Sequence, residues 1–571
     1  MKKVLAMILC LVMAAGCFVA CGKKEENDPH AHTGTEGKGP GDYEFTACIA
    51  SEPETVDPQL VSSVDGSTYV MHMFEGLMKY NSTGKDVAGN KDVLNCEAVP
   101  GMATSYDTSD DGLTYTFHLR EDAVWSDGEP VKAADFVYAW QRLVDPNTAS
   151  DYGYLLDGIV VNAAAIQAEE KEPAELGVEA TDDHTFVVHM ETACPYFVEL
   201  CAFASLVPVR KDIVEKYDGA DWTKPENMVV NGPFKISEWV HDSYIKMVPN
   251  EKYYDYNYIG PGSIKWYLSN DENAILSSYQ SGEYAFCENF PTEQIAALKS
   301  SGDLTIAPYV GDYYLYLNCE KIPDWRVRAA INLCIDRDFI VENVTMGGQV
   351  PATGFVPTGI TDNAGKDWTE TNPNVLYAWL QEQYPDYDLT SLAYRQELAK
   401  KLLADAVADG YDASVTIEYM FNTSESHRKI ATAVQNDVKN VLGLNMTLTN
   451  QEWNVYTNGL GEHTFGVARL GWIADYNDAI TFLELFTNDN SYNYGLWKSD
   501  AYTEKIMAAK GLPGGAERDN NMIEAEKIMF SEGGFPMAPL YYYTNLFCIK
   551  GYNNAWYTPF GHFLFMYVTK K

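Results

Sequence analysis

The sequence predicts an α/β protein built as two or three domains. A chain of 571 residues is longer than one hydrophobic core sustains. Strand-like and helix-like segments alternate through residues 311–500, the pattern of an α/β domain. A hydrophobic content of 46% beside 21% charged residues is that of a globular chain with cores to fill.

The first twenty residues are not part of that fold. Lys2 and Lys3 form a positive n-region, and residues 4–20 are almost wholly apolar. Residues 1–21 therefore read as a signal peptide. Small residues stand before Cys21, as in the lipobox of bacterial lipoproteins, where the cysteine becomes the lipidated N-terminus. Cys17 has an equally good local pattern; Cys21 is favoured because the polar stretch starts directly after it. Residues 22–42 are Gly, Lys, Glu, Asp and Pro and read as a flexible stalk. His30 and His32 within it are expected to be solvated rather than metal-bound.

Residues 43–50 alternate as a strand, and SEPETVDPQL (51–60) turns the chain with two prolines. LTYTFHLR (113–120) and HTFVVHM (184–190) are half-buried strands flanking a helix, DFVYAWQRLVD (135–145). Asp324 is placed to cap a helix whose Val327, Ala330, Ile331 and Cys334 share one face. Amphipathic helices follow at 391–409, with Gly410 at C′, and at 426–442, ended by Gly443. NMTLTNQEW then reads as a strand. Residues 360–390, rich in Thr, Asp, Asn, Tyr and Pro, are expected to be an inserted surface loop.

A balance of 41 basic to 81 acidic residues leaves a net charge of −40. Such a surface repels nucleic acid and anionic headgroups. Beyond the signal region eight cysteines remain (Cys48, Cys96, Cys194, Cys201, Cys287, Cys319, Cys334 and Cys548), with no CxxC and no zinc spacing. Several should be buried free thiols. Catalytic signatures are absent: no GxSxG, HExxH, P-loop or nucleotide-binding glycine pattern occurs, so neither catalytic residues, a cofactor nor a metal is expected.

The most informative stretch is QEWNVYTNGLGEHTFGVARLGWIADYND, residues 451–478. A strand-like run (Phe465, Val467, Leu470) leads through Gly471-Trp472-Ile473-Ala474 into Asp475. A carboxylate there must meet a positive partner or sit in a cleft, because an unpaired buried acid is costly. With Trp453, Trp472 and Arg469 close by, the set suits an elongated cationic ligand. The other reading is a core strand whose Asp475 caps a helix beginning near Tyr476.

Several segments together resemble the periplasmic oligopeptide-binding proteins, the solute-binding components of peptide ABC importers (family 5). They are SEPETVDP (51–58), TFHLREDAVWSDGEPVKAADFVYAWQRLVDPNTAS (116–150), DDHTFVVHM (182–190) and NGPFKI (231–236). FNTSESHRKIA (421–431), NQEW (450–453) and ARLGWIADYND (468–478) continue the match in order across nearly the whole mature chain. The resemblance implies a two-lobed, hinged periplasmic-binding-protein-like fold with an additional third lobe and mixed sheets flanked by helices. Lobe I would comprise 43–64, 198–310 and 499–571, the accessory lobe II 65–197, and lobe III 311–498.

It also implies a ligand and a site. A short peptide would lie extended between the lobes, its α-ammonium held by Asp475. Trp472, Gly471, Arg469 and Trp453 match positions of the cleft, and His427 a histidine toward the peptide's C-terminal side. Tyr138 and Glu52 match contacts from the opposite lobe, and Tyr314 a cleft tyrosine in the YYLYLN strand. Leu460 stands where the pattern has an arginine and Tyr316 where it has a glutamate. Gly311 and Ile473 replace a cysteine pair that bridges two strands in the enterobacterial type. The implied protein is no enzyme. It would be a monomeric, lipid-anchored, extracytoplasmic binding protein that hands peptides to a membrane permease and its ATPase subunits. Other readings are capture of nickel, haem or an oligosaccharide by the same fold, a peptide sensor, or a secreted hydrolase.

Overall fold

The computed structural model describes residues 35–571 except 36, 51 and 218. The signal peptide, Cys17, Cys21 and most of the stalk therefore lie outside the described residues.

An eleven-stranded mixed sheet runs through the described residues. On one side stand Phe234–Val240, Tyr244–Pro249, Ser263–Tyr267, Glu44–Cys48 and Phe286–Cys287. On the other stand Val467–Ile473, Ile417–Asn422 and Met446–Gln451. Two long antiparallel strands, Leu304–Leu317 and Met537–Ile549, join the halves, and the short Val350–Pro351 pairs with the second of them as the eleventh strand. Their register shifts between Pro308 and Asp312. An irregularity of that kind bends a strand and raises its local twist, so the sheet changes direction between its two halves.

The expected elements form for the expected reasons. Asp324 accepts a hydrogen bond from the Arg326 amide at 2.9 Å and starts helix Trp325–Cys334. Leu392–Ala408 ends before Gly410, whose φ of +108° is a conformation glycine enters without a Cβ penalty. Glu425–Asp437 continues into a wider turn, Val438–Leu442, that Gly443 terminates. Residues 445–453 split differently: the strand is Met446–Gln451, and Trp453 opens helix Trp453–Gly461.

The 360–390 segment is not a plain surface loop. It carries helices Trp368–Thr371 and Val375–Gln383, which bury Trp368, Val375, Leu376 and Leu380. The Trp368 indole and the Asn372 amide donate to the buried Glu526 carboxylate at 3.0 and 2.8 Å. Helices Asp500–Lys510 and Ala516–Met529 pack here too, so the body expected of 311–498 continues past residue 498.

The accessory part is a four-stranded antiparallel sheet, Ala103–Thr108, Thr114–Leu119, Thr185–His189 and Val178–Asp182. Helix Ala133–Val144 lays Phe136 and Trp140 on Phe186, at ring distances of 5.7 and 5.2 Å. The same helix ties this sheet to the main body. Arg142 donates to both oxygens of Asp57 at 2.7 and 2.6 Å, and Asp57 is 1% exposed. Trp222 adds a third bond to it at 3.2 Å. Arg142→Ala leaves a buried acid without its cation and is expected to cost about 3–5 kcal/mol, read as a lowered urea midpoint.

All eight described cysteines are free, and five of them, Cys48, Cys201, Cys287, Cys334 and Cys548, are buried.

Candidate functional site

Strand pairing decides which side chains share a face. Tyr313 stands opposite Gly471 and Leu315 opposite Arg469, while Asp312 pairs with Trp472 and Tyr314 with Leu470. With a side-chain period of two, Tyr313, Gly471 and Arg469 face one way, and Asp312, Tyr314, Tyr316 and Trp472 the other.

On the first face lies a cavity of about 460 Å³. Tyr313, Tyr541, Tyr543, Arg469, His427 and Trp453 wall it from one half of the sheet; Glu52, Asp65, Glu272 and Glu288 wall it from the other. Gly471 is required here by space. A Cβ at 471 would stand 2.2 Å from the Tyr543 hydroxyl, so a side chain would displace that ring from the wall.

Arg469 is a buried cation with no carboxylate partner among the described residues, and its Nε makes no hydrogen bond there. Its guanidinium lies 5.0 Å over the Tyr313 ring. Burial opposes its charge, yet the hydroxyls of Tyr313, Tyr543 and Tyr456 hold its pKa above the usual value. His427 Nδ1 is 3.4 Å from the Tyr313 hydroxyl. Burial, then the charge of Arg469, pushes its pKa well below the ordinary range, so the ring is neutral at pH 7. This corner presents positive charge and neutral donors, the chemistry that receives a carboxylate. Trp453 begins its helix on the wall and stacks on Tyr456 at 6.1 Å. Glu52 is held in place by Trp239 Nε1 at 2.7 Å, His241 Nδ1 at 2.8 Å and the Asp242 amide at 2.8 Å.

Asp475 lies past the end of strand Val467–Ile473, outside the walls of that cavity. The Tyr152 hydroxyl donates to its Oδ1 and the Thr481 hydroxyl to its Oδ2, both at 3.0 Å. Asp475 is 7% exposed, and no Lys, Arg or His among the described residues pairs with it. Burial pushes its pKa up to about 8 against those two donors. Trp472 donates through Nε1 to Thr481 at 3.3 Å and packs on Tyr492 and Tyr152 at 4.8 and 6.2 Å. A lone buried carboxylate walled by aromatic rings is a receptor for a cation. It is not a helix cap: the next helix starts at Ile480, and Asp478 accepts from its amide at 3.0 Å.

Two expected cleft residues are elsewhere. Tyr138 sits half-buried on the side of its helix that faces Lys211, 5.6 Å from that ammonium and away from the cavity. Tyr152, which donates to Asp475, was missed by the sequence reading; it follows the DPNTAS segment in a turn without periodicity. Tyr314 is 0% exposed, its hydroxyl bonded to that of Tyr316 at 3.1 Å and its ring on Phe355. One residue along the strand flips the face, so the cavity tyrosine is Tyr313. Tyr541 and Tyr543, also missed, come from the far end of the chain.

Residues 97–494 match the bacterial extracellular solute-binding proteins, family 5. The chain belongs to this family. It is 36% identical to the periplasmic oligopeptide-binding protein OppA of Salmonella typhimurium over 88% of this chain and 87% of that one. The Haemophilus influenzae OppA complex with RPPGFSPFR superposes with a TM-score of 0.82 at 31% identity, covering 93% of this chain and 99% of that one. The murein tripeptide-binding protein MppA of Escherichia coli gives 0.81 at 33% identity, over 93% and 99%. MppA in its unliganded open form, over 94% and 99% at the same identity, gives only 0.60.

Gly311 and Ile473 do stand opposite each other, and a Cβ at 311 would meet the Ile473 side chain at 2.4 Å. Leu460 is a buried core residue, and Tyr316 is buried with its hydroxyl on the Tyr492 carbonyl at 2.6 Å. Family 5 proteins bind solutes rather than transform them. No helix among the described residues is long and apolar enough to cross a membrane.

Proposed function

We propose that the protein captures short peptides between its lobes and delivers them to a membrane ABC permease. The observation that carries this reading is Asp475, a buried carboxylate with aromatic walls and no cation of its own among the described residues. A peptide's α-ammonium supplies the missing charge. Arg469 is the converse, a buried cation lacking an acid, six positions earlier in the chain. The two charges stand at different points along one stretch of chain, as a short extended peptide with one charge at each end requires. The edge between them offers main-chain groups for such a strand.

Closure is a hinge motion about the two strands that join the halves. The difference between a TM-score of 0.81 with one MppA structure and 0.60 with its open form supports lobes that move as bodies. In the closed arrangement the lobes meet through groups with polar partners: Tyr152 on Asp475, Ser424 and Ser426 on Glu272 at 3.1 and 3.0 Å, and Lys429 on Glu293. Such ties are weak enough for a ligand bridging both halves to decide the equilibrium. The protein works as a monomer held to the outer face of the cell membrane by a lipid on Cys21. The named ligands of OppA and MppA, which are peptides, favour import of peptides over the other solutes of the family.

Calorimetric titration with a tetrapeptide and its N-acetylated form tests the reading. Acetylation removes the ammonium and leaves the rest, so binding is expected to weaken by about a hundredfold or more. Equal affinities would overturn it.

A further inference from the structure

On the path from one half of the large sheet to the other, the narrowest strand is Phe286–Cys287, two residues long. Through it Glu44–Cys48 connects to the crossing strand Met537–Ile549. Each of these three strands carries a cysteine at the junction. Cys48 stands opposite Cys287 in the parallel pairing, and Cys287 opposite Cys548 in the antiparallel one. Residues in register share a face of the sheet, so three thiols lie side by side across three strands. All three are free and 0% exposed, in an apolar cluster with Ile275, Leu276 and Leu298. None of the other five described cysteines has a cysteine in register with it. Directly opposite residues of an antiparallel pair hold their Cα atoms about 4.5–5.5 Å apart, inside the roughly 4.4–6.8 Å over which a disulfide closes.

We propose that Cys287 and Cys548 close a disulfide as the secreted chain folds, stapling the crossing strand to the half of the sheet that holds Glu44–Cys48. The oxidant is a small-molecule disulfide such as oxidised glutathione. One cysteine thiolate attacks it, forming a mixed disulfide and releasing one glutathione; the second thiolate then displaces the other. Two protein S–H bonds and one glutathione S–S bond become one protein S–S bond and two glutathione S–H bonds, so electrons and protons balance. Contact with the Cys548 thiol, then burial, raises the Cys287 pKa, and Cys48 adds less. The buried thiol therefore stays protonated and does not attack disulfides, which places the reaction before the apolar cluster closes. Once closed, that cluster shields the link from reductants. The staple sits where the sheet has fewest main-chain bonds, and it leaves the bend at Pro308–Asp312 free.

The test unfolds the full-length protein in urea and dilutes it into detergent with oxidised and reduced glutathione, or with reductant alone. Free thiols are blocked with N-ethylmaleimide, and the chain is digested without reduction for mass spectrometry. After oxidative refolding the peptide of Cys287 is expected linked to that of Cys548, with two fewer blocked cysteines and a Tm several degrees above the reduced form. Cys48→Ser keeps the link and the gain in Tm; Cys548→Ser loses both. The same digest of protein secreted by a bacterial host and blocked at lysis gives the readout without refolding. Cys287 and Cys548 fully blocked in both preparations, or Cys287 linked to Cys48 instead, overturns the proposal.

Discussion

Asp475→Ala is expected to lower affinity for short peptides by about a hundredfold to three-thousandfold. In the proposed complex the α-ammonium meets Asp475 beside Tyr152 and Trp472. There it exchanges water for one carboxylate and two hydroxyl-bearing neighbours. Taking away one member of a buried pair strands the other without solvent, which costs about 3–5 kcal/mol. The loss appears chiefly in the dissociation rate, because closure follows encounter. Calorimetry or stopped-flow fluorescence from Trp472 reads it. A tenfold effect or less would mean that main-chain contacts, not the ammonium, anchor the ligand.

The same residue makes the empty protein pay for its readiness. Asp475 has a folded pKa near 8 against an ordinary value of 3.8. A group raised in this way contributes its full share of stability below the unfolded value. It loses that share as pH climbs toward the folded value, because the unfolded chain ionises freely and the buried acid does not. Between about pH 4 and 8, each unit therefore costs the closed, ligand-free protein about 1.4 kcal/mol, less whatever opening of the lobes relieves. Asp475→Asn removes the charge and keeps one acceptor oxygen for the Tyr152 hydroxyl. Its ligand-free Tm is expected to match the wild type near pH 4 and exceed it by a few degrees at pH 8. Saturating peptide reverses the order at pH 8, since the ammonium returns the wild-type carboxylate to its charged form. A wild-type Tm that does not fall relative to the variant would show that Asp475 is already paired or solvated.

What could be read from the sequence follows from how local each signal is. Asp475 stood out because an acid after an apolar strand has few inexpensive places to go. Helices Trp325–Cys334 and Leu392–Ala408 carried their own caps and periodicity, so nothing distant was needed to recognise them. Tyr313 and Tyr314 could not be told apart in this way. Both faces of the strand are buried from Val310 to Leu317, so hydrophobic alternation does not mark which side holds the cavity; only the pairing with Val467–Ile473 does. Tyr138 lay in a conspicuous aromatic helix, whereas Tyr152 owes its role to a contact with Asp475, 323 residues away. The 360–390 segment looked like a loop because its polar residues hide Trp368, whose partner Glu526 is 158 residues further on. The acidic wall was dispersed among 81 acids, and only folding brings Asp65 beside Glu288.

Native mass spectrometry of the full-length protein released gently from detergent, beside its Asp475→Ala variant, tests the central claim most directly. The expected spectrum shows the wild type carrying a distribution of added masses that denaturation frees as short peptides, and the variant without them. A wild-type protein that carries no peptide and takes none from a mixed library, or a variant as heavily loaded as the wild type, would contradict it.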